Sequence, residues 1–181
     1  PRGGFGEDDA PGPLMEYGRT KLAGERAVLD AAASASPQAL VVRLPLLYGN
    51  SAGRGLGASD SLLEAVERDA RPALFVDEWR TPLEVSNAAD ALVELAWGDV
   101  GGLLHVAGPD RVSRLELGLH VLVAAGLDAE RAREEVRGVP SASVPSVGAR
   151  PRDVSLATVR ARKLLATRLL GVEAGTRRAM R

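Results

Sequence analysis

The sequence predicts an α/β fold in which a parallel sheet is interrupted by a smaller lobe. Three observations carry this. Leu40-Val41-Val42-Arg43-Leu44 and Leu103-Leu104-His105-Val106 are short, nearly continuous apolar runs, the pattern of strands buried on both faces of a parallel sheet. The first run follows closely on an amphipathic helical stretch, which makes the αβ half of a βαβ unit. Roughly 60 residues with helix and turn signals of their own separate the two runs. The chain therefore leaves the sheet, builds a lobe and returns.

Each element has its own justification. Residues 1–16 are rich in Gly, Pro and acids and read as a loop. Pro1-Arg2-Gly3-Gly4 is neither a signal peptide nor a usual start, so a fragment, a processed chain or a mis-called start is expected. Tyr17 to about Ala33 is helical, with Leu22, Ala23, Arg26, Ala27, Leu29 and Asp30 on one face, and Pro37 closes the connection to the first strand. Residues 49–59 hold four Gly and two Ser and form a loop. Its Gly53-x-Gly55-x-Gly57 follows no suitable strand and is not read as a dinucleotide cradle. Asp60 or Ser61 caps a helix to about Ala70, with Glu64 placed for a capping box. Leu74-Phe75-Val76 is a strand and Arg80-Thr81-Pro82 a turn. Ser86 or Asn87 caps a helix whose apolar face is Ala88, Ala91, Leu92, Leu95 and Ala96. Gly101-Gly102 precedes the returning strand. Ser113 and Glu116 form a capping box for a helix ending near Gly126. Residues 138–151 read as a long loop, and Ala157 to Leu170 as a last, basic helix.

Composition excludes several function classes. A net charge of -1 steers the chain toward neither nucleic acid nor anionic lipid. The absence of Cys removes disulfides, thiol nucleophiles and zinc-thiolate sites. No apolar run approaches the roughly 18 residues of a membrane span. His105 and His120 have no ligand partner at metal spacing, and Glu7, Asp8 and Asp9 read as a solvated loop, so no metal site is expected.

The chemistry points to Tyr17 and Lys21. Positions i and i+4 share a helix face, about 5–6 Å apart at Cβ. A phenol titrates near 10 in water and is a poor acid–base catalyst at neutral pH. An ammonium about 4 Å away favours the phenolate by up to about 4 kcal/mol at an effective dielectric near 20, enough to bring proton transfer into working range. The chain has two Tyr and, among 23 basic residues, Lys only at positions 21 and 163. A chance pairing at this spacing is therefore expected at about 2%. In so Arg-rich a chain, a Lys at position 21 marks a need for a compact ammonium rather than a planar guanidinium.

The Glu7-Asp8-Asp9-Ala10-Pro11-Gly12-Pro13 segment followed by Tyr17-Gly18-Arg19-Thr20-Lys21-Leu22-Ala23-Gly24-Glu25 resembles the extended short-chain dehydrogenase/reductases, and within them the dTDP-4-dehydrorhamnose reductase-like branch. The resemblance continues in order through Val42-Arg43-Leu44-Pro45-Leu46-Leu47-Tyr48-Gly49, Asp77-Glu78-Trp79-Arg80-Thr81-Pro82, His105-Val106-Ala107-Gly108-Pro109 and Arg150-Pro151-Arg152-Asp153. It implies the C-terminal part of a Rossmann-like, doubly wound parallel sheet with an interleaved substrate-binding lobe. Residues 1–48 would end the dinucleotide-binding sheet, and 49–181 would form the lobe, with strand 103–106 returning to the sheet. It further implies an NADP or NAD cofactor and a 4-keto nucleotide-sugar substrate, in a cytoplasmic, possible homodimeric enzyme. Tyr17 would protonate the substrate carbonyl, and Lys21 would hold the nicotinamide ribose and make the phenol more acidic. Leu44, Pro45 and Leu46 would line the nicotinamide pocket, while Arg80 and Arg150 would meet the substrate's anionic part. The family's Gly-rich cofactor loop and catalytic Ser or Thr have no counterpart in the 181 residues, so this chain alone is expected to be inactive. Sugar-nucleotide epimerases and dehydratases of the same superfamily, and the non-catalytic regulatory subunit of methionine adenosyltransferase, share the resemblance.

Overall fold

The computed structural model describes residues 3–34, 39–51, 57–144 and 151–180. In chain order the elements are α1 (Glu16–Ser34), β1 (Leu40–Arg43), β2 (Leu47–Tyr48), α2 (Ala58–Glu67), β3 (Ala73–Phe75), β4 (Trp79–Arg80), β5 (Leu83–Glu84), α3 (Val85–Ala96), β6 (Gly102–His105), β7 (Val112–Ser113), α4 (Arg114–Ala124), α5 (Ala129–Glu134), β8 (Arg137–Val139), α6 (Val159–Leu164) and α7 (Val172–Ala179). The fold is α/β with parallel strands, as the sequence predicts. The two apolar runs pair in parallel, from Leu40 opposite Gly102 to Arg43 opposite His105. Gly102 enters β6 with φ of 85°, a left-handed conformation that glycine adopts without a Cβ clash.

Around this pair, β2 lies parallel to β5 and β3 parallel to β8, while β4 runs antiparallel to β7. Two apolar cores result. One joins Leu83, Ala88, Ala91, Leu95, Leu104 and Val106 between α3 and the β1–β6 pair. The other joins Tyr48, Leu62, Leu117, Val121, Leu122 and Val172 beneath α2, α4 and α7.

Local chemistry explains the agreements and the departures. Ser113 and Glu116 form the expected capping box, and α4 ends in a Schellman motif: Gly126 N–H donates to Val123 and Leu127 N–H to Leu122. α3 is capped neither by Ser86 nor by Asn87. Glu84 takes that place, its carboxylate accepting from both of their N–H groups at 2.8 Å. Asn87 is buried and reaches across the chain, donating to Arg168 O and accepting from Leu170 N–H. α2 begins after Gly57, and Asp60 reaches back to the Gly57 N–H. The helix expected over Ala157 to Leu170 is shortened to α6, Val159–Leu164, and a further helix, α7, follows where none was expected. Glu94 accepts from Ala166 and Thr167 N–H at 2.6 and 2.8 Å, which draws the backbone out of the helix. Asp110 then accepts from Val172 N–H at the start of α7. The inward stripe of α1 also differs: it is Gly18, Leu22, Glu25, Leu29 and Ala32. Within the stretch 138–151 expected as a loop, the end of β8 and a 3₁₀ turn at Ser141–Ser143 are found.

Candidate active site

Glu25, in the middle of α1, bonds Arg43, the last residue of β1. The start of α1 therefore stands near the carboxyl ends of β1 and β6, where ligands of open α/β sheets bind. Residues 3–9 cross those ends. Phe5 N–H donates to Ser155 O and accepts at its own carbonyl from Ala157 N–H, making a parallel bridge with Leu156. Gly4 N–H donates to the Ser155 hydroxyl at 2.8 Å. Asp9 closes a turn by accepting from Gly6 N–H at 2.8 Å, and Pro11-Gly12-Pro13 leads into α1.

A groove of about 570 Å³ opens between these segments. Phe5, Pro13, Leu22 and Leu156 supply apolar wall, and Lys21, Arg43 and Arg152 supply cations. Its carboxylates are engaged. Glu25 receives two hydrogen bonds from Arg43, at 2.8 and 2.7 Å, which hold its carboxyl below the ordinary range against the opposing effect of burial. Burial pushes the Asp153 carboxyl up, but the Ser155 hydroxyl and N–H together with Arg111 outweigh it and leave it lowered. Arg111 also stacks on Trp79, 4.1 Å from the ring centroid.

Tyr17 sits in the first turn of α1, 71% exposed, with the Lys21 ammonium over its ring at 5.5 Å from the centroid. The predicted pair is thus together on one face; Lys21 lines the groove and the Tyr17 ring stands beside it, toward solvent. Leu44 is exposed at the end of β1, Pro45 is half-buried, and Leu46 packs against the lobe core rather than the groove. Arg80 is engaged internally: its guanidinium donates to Trp79 O and Glu78, and toward Pro151 O and Arg152 O. That makes it a clamp on residues 151–152. Arg150 and the Gly53 and Gly55 of the Gly run lie outside the described residues.

His105 is fully buried, and burial lowers its pKa. Its Nδ1 faces Phe5 O at 3.2 Å and its Nε2 faces Arg43 Nη1 at 3.4 Å, partners that fit the neutral Nδ1–H tautomer. Its backbone N–H donates to Glu7 at 3.0 Å. Glu7 and Asp9 therefore serve the fold of this loop. Among the described residues no cluster of three or more His, Asp or Glu is placed to hold a metal. Sequence reasoning missed Arg152 and the Glu25–Arg43 pair as groove residues. The available signal was their position inside the segments that carry the family resemblance. The donor set fits the ribose end of a nicotinamide cofactor, a hydroxyl and an ammonium on one exposed face.

A protein-family model described as the RmlD substrate binding domain matches residues 1–180. The chain is 32% identical over 152 residues to the probable low-salt glycan biosynthesis reductase Agl14 of Haloferax volcanii, covering 83% of this chain and 48% of that protein. It is 36% identical over 127 residues to dTDP-4-dehydrorhamnose reductase of Mycolicibacterium smegmatis, covering 70% and 37%. It is 31% identical over 160 residues to methionine adenosyltransferase 2 subunit beta of Bos taurus, covering 84% and 45%. The chain thus spans about half or less of the length of these relatives. Among solved structures, dTDP-4-dehydrorhamnose reductase from Bacillus anthracis in complex with NADP superposes with a TM-score of 0.76 at 20% identity, covering 97% of this chain and 58% of that one. UDP-glucuronic acid 4-epimerase from Bacillus cereus, in complex with UDP-glucuronic acid and NAD, gives 0.78 at 19%, covering 99% and 56%. At these identities the shared property is the fold, a Rossmann-like one.

Proposed function

The chain belongs to the RmlD substrate binding domain family, and we propose that it forms the substrate side of an NAD(P)-dependent reductase of 4-keto nucleotide sugars. The observation that carries this reading is the Tyr17–Lys21 pair at the start of α1, beside an apolar groove at the carboxyl end of a parallel sheet. The names of the reductase relatives, and the NADP, NAD and UDP-glucuronic acid in the neighbouring structures, support it.

When bound, the nicotinamide supplies hydride to the substrate's carbonyl carbon. Tyr17 then donates its phenolic proton to the carbonyl oxygen, which completes the alcohol. Lys21 stabilises the charge left on the phenol and bonds the ribose. Arg152 lines the groove and is 56% exposed, and on this reading it meets an anionic substrate group, the role the sequence also assigns to Arg150. This reading assigns the dinucleotide mainly to a half that is not among these 181 residues.

The test is spectrophotometric. Protein that includes a dinucleotide-binding half should consume NADPH when given dTDP-4-dehydrorhamnose, and Tyr17→Phe should abolish the absorbance change. The 181 residues alone should show no NADPH heat by calorimetry; tight binding there would contradict the division of labour. A second reading, a regulatory subunit, is favoured by the match to methionine adenosyltransferase 2 subunit beta over 84% of the chain. It predicts co-purification with a catalytic partner, without nicotinamide turnover.

A further inference from the structure

α1 carries the proposed proton donor, yet it is loosely embedded. None of its described side chains is fully buried. Its inward stripe offers small or modest apolar groups, with one charged residue, Glu25, at its centre. The Glu25 carboxylate grips Arg43 through two hydrogen bonds, with both side chains mostly sheltered from solvent. Arg43 is the last residue of β1. Its Nη1 faces His105, the last residue of β6 and its direct cross-strand partner. His105 is held in turn by Phe5 O and Glu7. A continuous polar chain thus runs from α1 to the ends of both strands and to the segment that crosses them.

Glu25 lies one helical turn beyond Lys21 and two beyond Tyr17, about 12 Å along the axis from the phenol-bearing residue. The i,i+4 geometry of the pair is internal to the helix. What the Glu25–Arg43 contact fixes is the rotation and height of that helix against the strand ends, where the reacting carbon must sit. From this we infer that Glu25 and Arg43 are positioning residues for proton donation by Tyr17, an inference that rests on the reductase reading. The plain alternative is an ion pair that only adds stability, and the two differ in what they change.

The experiment compares Glu25→Met, Arg43→Met, the double variant and the exchange Glu25→Arg/Arg43→Glu in the active reductase. A small misplacement of a reacting group costs up to about 100-fold, so each single variant should lose about 10- to 100-fold in kcat. KM for the nicotinamide cofactor should stay nearly constant. The double variant should be no worse than either single one, because both break the same tie, and the exchange should recover part of the loss. In parallel, amide hydrogen exchange should quicken at residues 18–22 while β1 and β6 keep their protection. Unchanged kcat would overturn the inference. So would a rise in KM with kcat retained, which would make these residues ligand contacts. Loss of protection throughout β1 and β6 would overturn it too, leaving a stability role alone. If wild type shows no nicotinamide turnover, the reductase reading falls. The inference about proton donation falls with it, and the exchange pattern then shows only whether the pair holds the start of α1: quickening confined to residues 18–22 means that it does, and any other pattern ends that as well.

Discussion

The two tyrosines of the chain have opposite surroundings. Tyr17 stands in solvent beside a cation, whereas Tyr48 is 1% exposed and its hydroxyl has no hydrogen-bond partner among the described residues. Burial, with Glu84 and Asp110 nearby, pushes the Tyr48 phenol above its ordinary range and keeps it neutral. The hydroxyl rests against Gly175 of α7, where even a methyl group would overlap it. Gly175→Ala should therefore destabilise the fold by about 1–3 kcal/mol, the usual effect of overpacking. Tyr48→Phe removes an unpaired buried hydroxyl and should be neutral or stabilising. The pair Tyr48→Phe/Gly175→Ala should regain part of the loss, as read by urea denaturation. At this scale the sequence was informative for Tyr17 and silent for Tyr48. A Lys four residues away on a helix is visible in one dimension. A glycine 127 residues away is not.

At the scale of elements, legibility follows the range of the interactions. Ser113 could be read as a cap because its partner Glu116 lies three residues on. Glu84 could not, because Ser86 and Asn87 are intrinsically better caps and only the tertiary structure draws Asn87 inward. The break between α6 and α7 depends on Glu94 and Asn87, more than 70 residues upstream of the backbone they bind. The strands β1 and β6 were legible from their apolar runs, while two-residue strands such as β2 and β4 have no period to detect. The two caps should differ in weight. Ser113→Ala should cost about 1 kcal/mol. Glu84→Ala should cost about 2 kcal/mol or more, because it frees two N–H groups and also removes the buried partner of Arg178. Thermal denaturation monitored by circular dichroism at constant pH would rank them. A smaller effect for Glu84→Ala would mean that solvent or Arg178 rearranges to satisfy the helix end.

For the whole molecule, pH reports on the polar chain behind α1. His105 is held neutral, with its pKa lowered first by burial. The unfolded chain takes up a proton near pH 6.5 that folded His105 refuses. Stability should therefore fall as pH drops from about 6.5 through the folded value, and be unaffected by this group above it. Glu25, Asp77 and Asp153 are lowered carboxyls; their contribution is present above about pH 4 and is lost as pH falls through their folded values. Melting temperature should decline in two stages on acidification. His105→Gln should remove the first stage and leave the second; a first stage that survives in this variant would place its origin elsewhere.

Among the described residues, β1 pairs with β6 alone, and its other edge carries peptide groups with no strand beside them. Val41 and Val42 there are half-buried rather than enclosed, and Leu14, Met15 and Val28 lie exposed around the neighbouring helix. Such an edge is a template that any extended backbone can extend. Copies of these 181 residues can therefore add to one another along that edge when concentrated. The yield of monomer on expression should then depend on dilution and temperature as much as on the stability of either core.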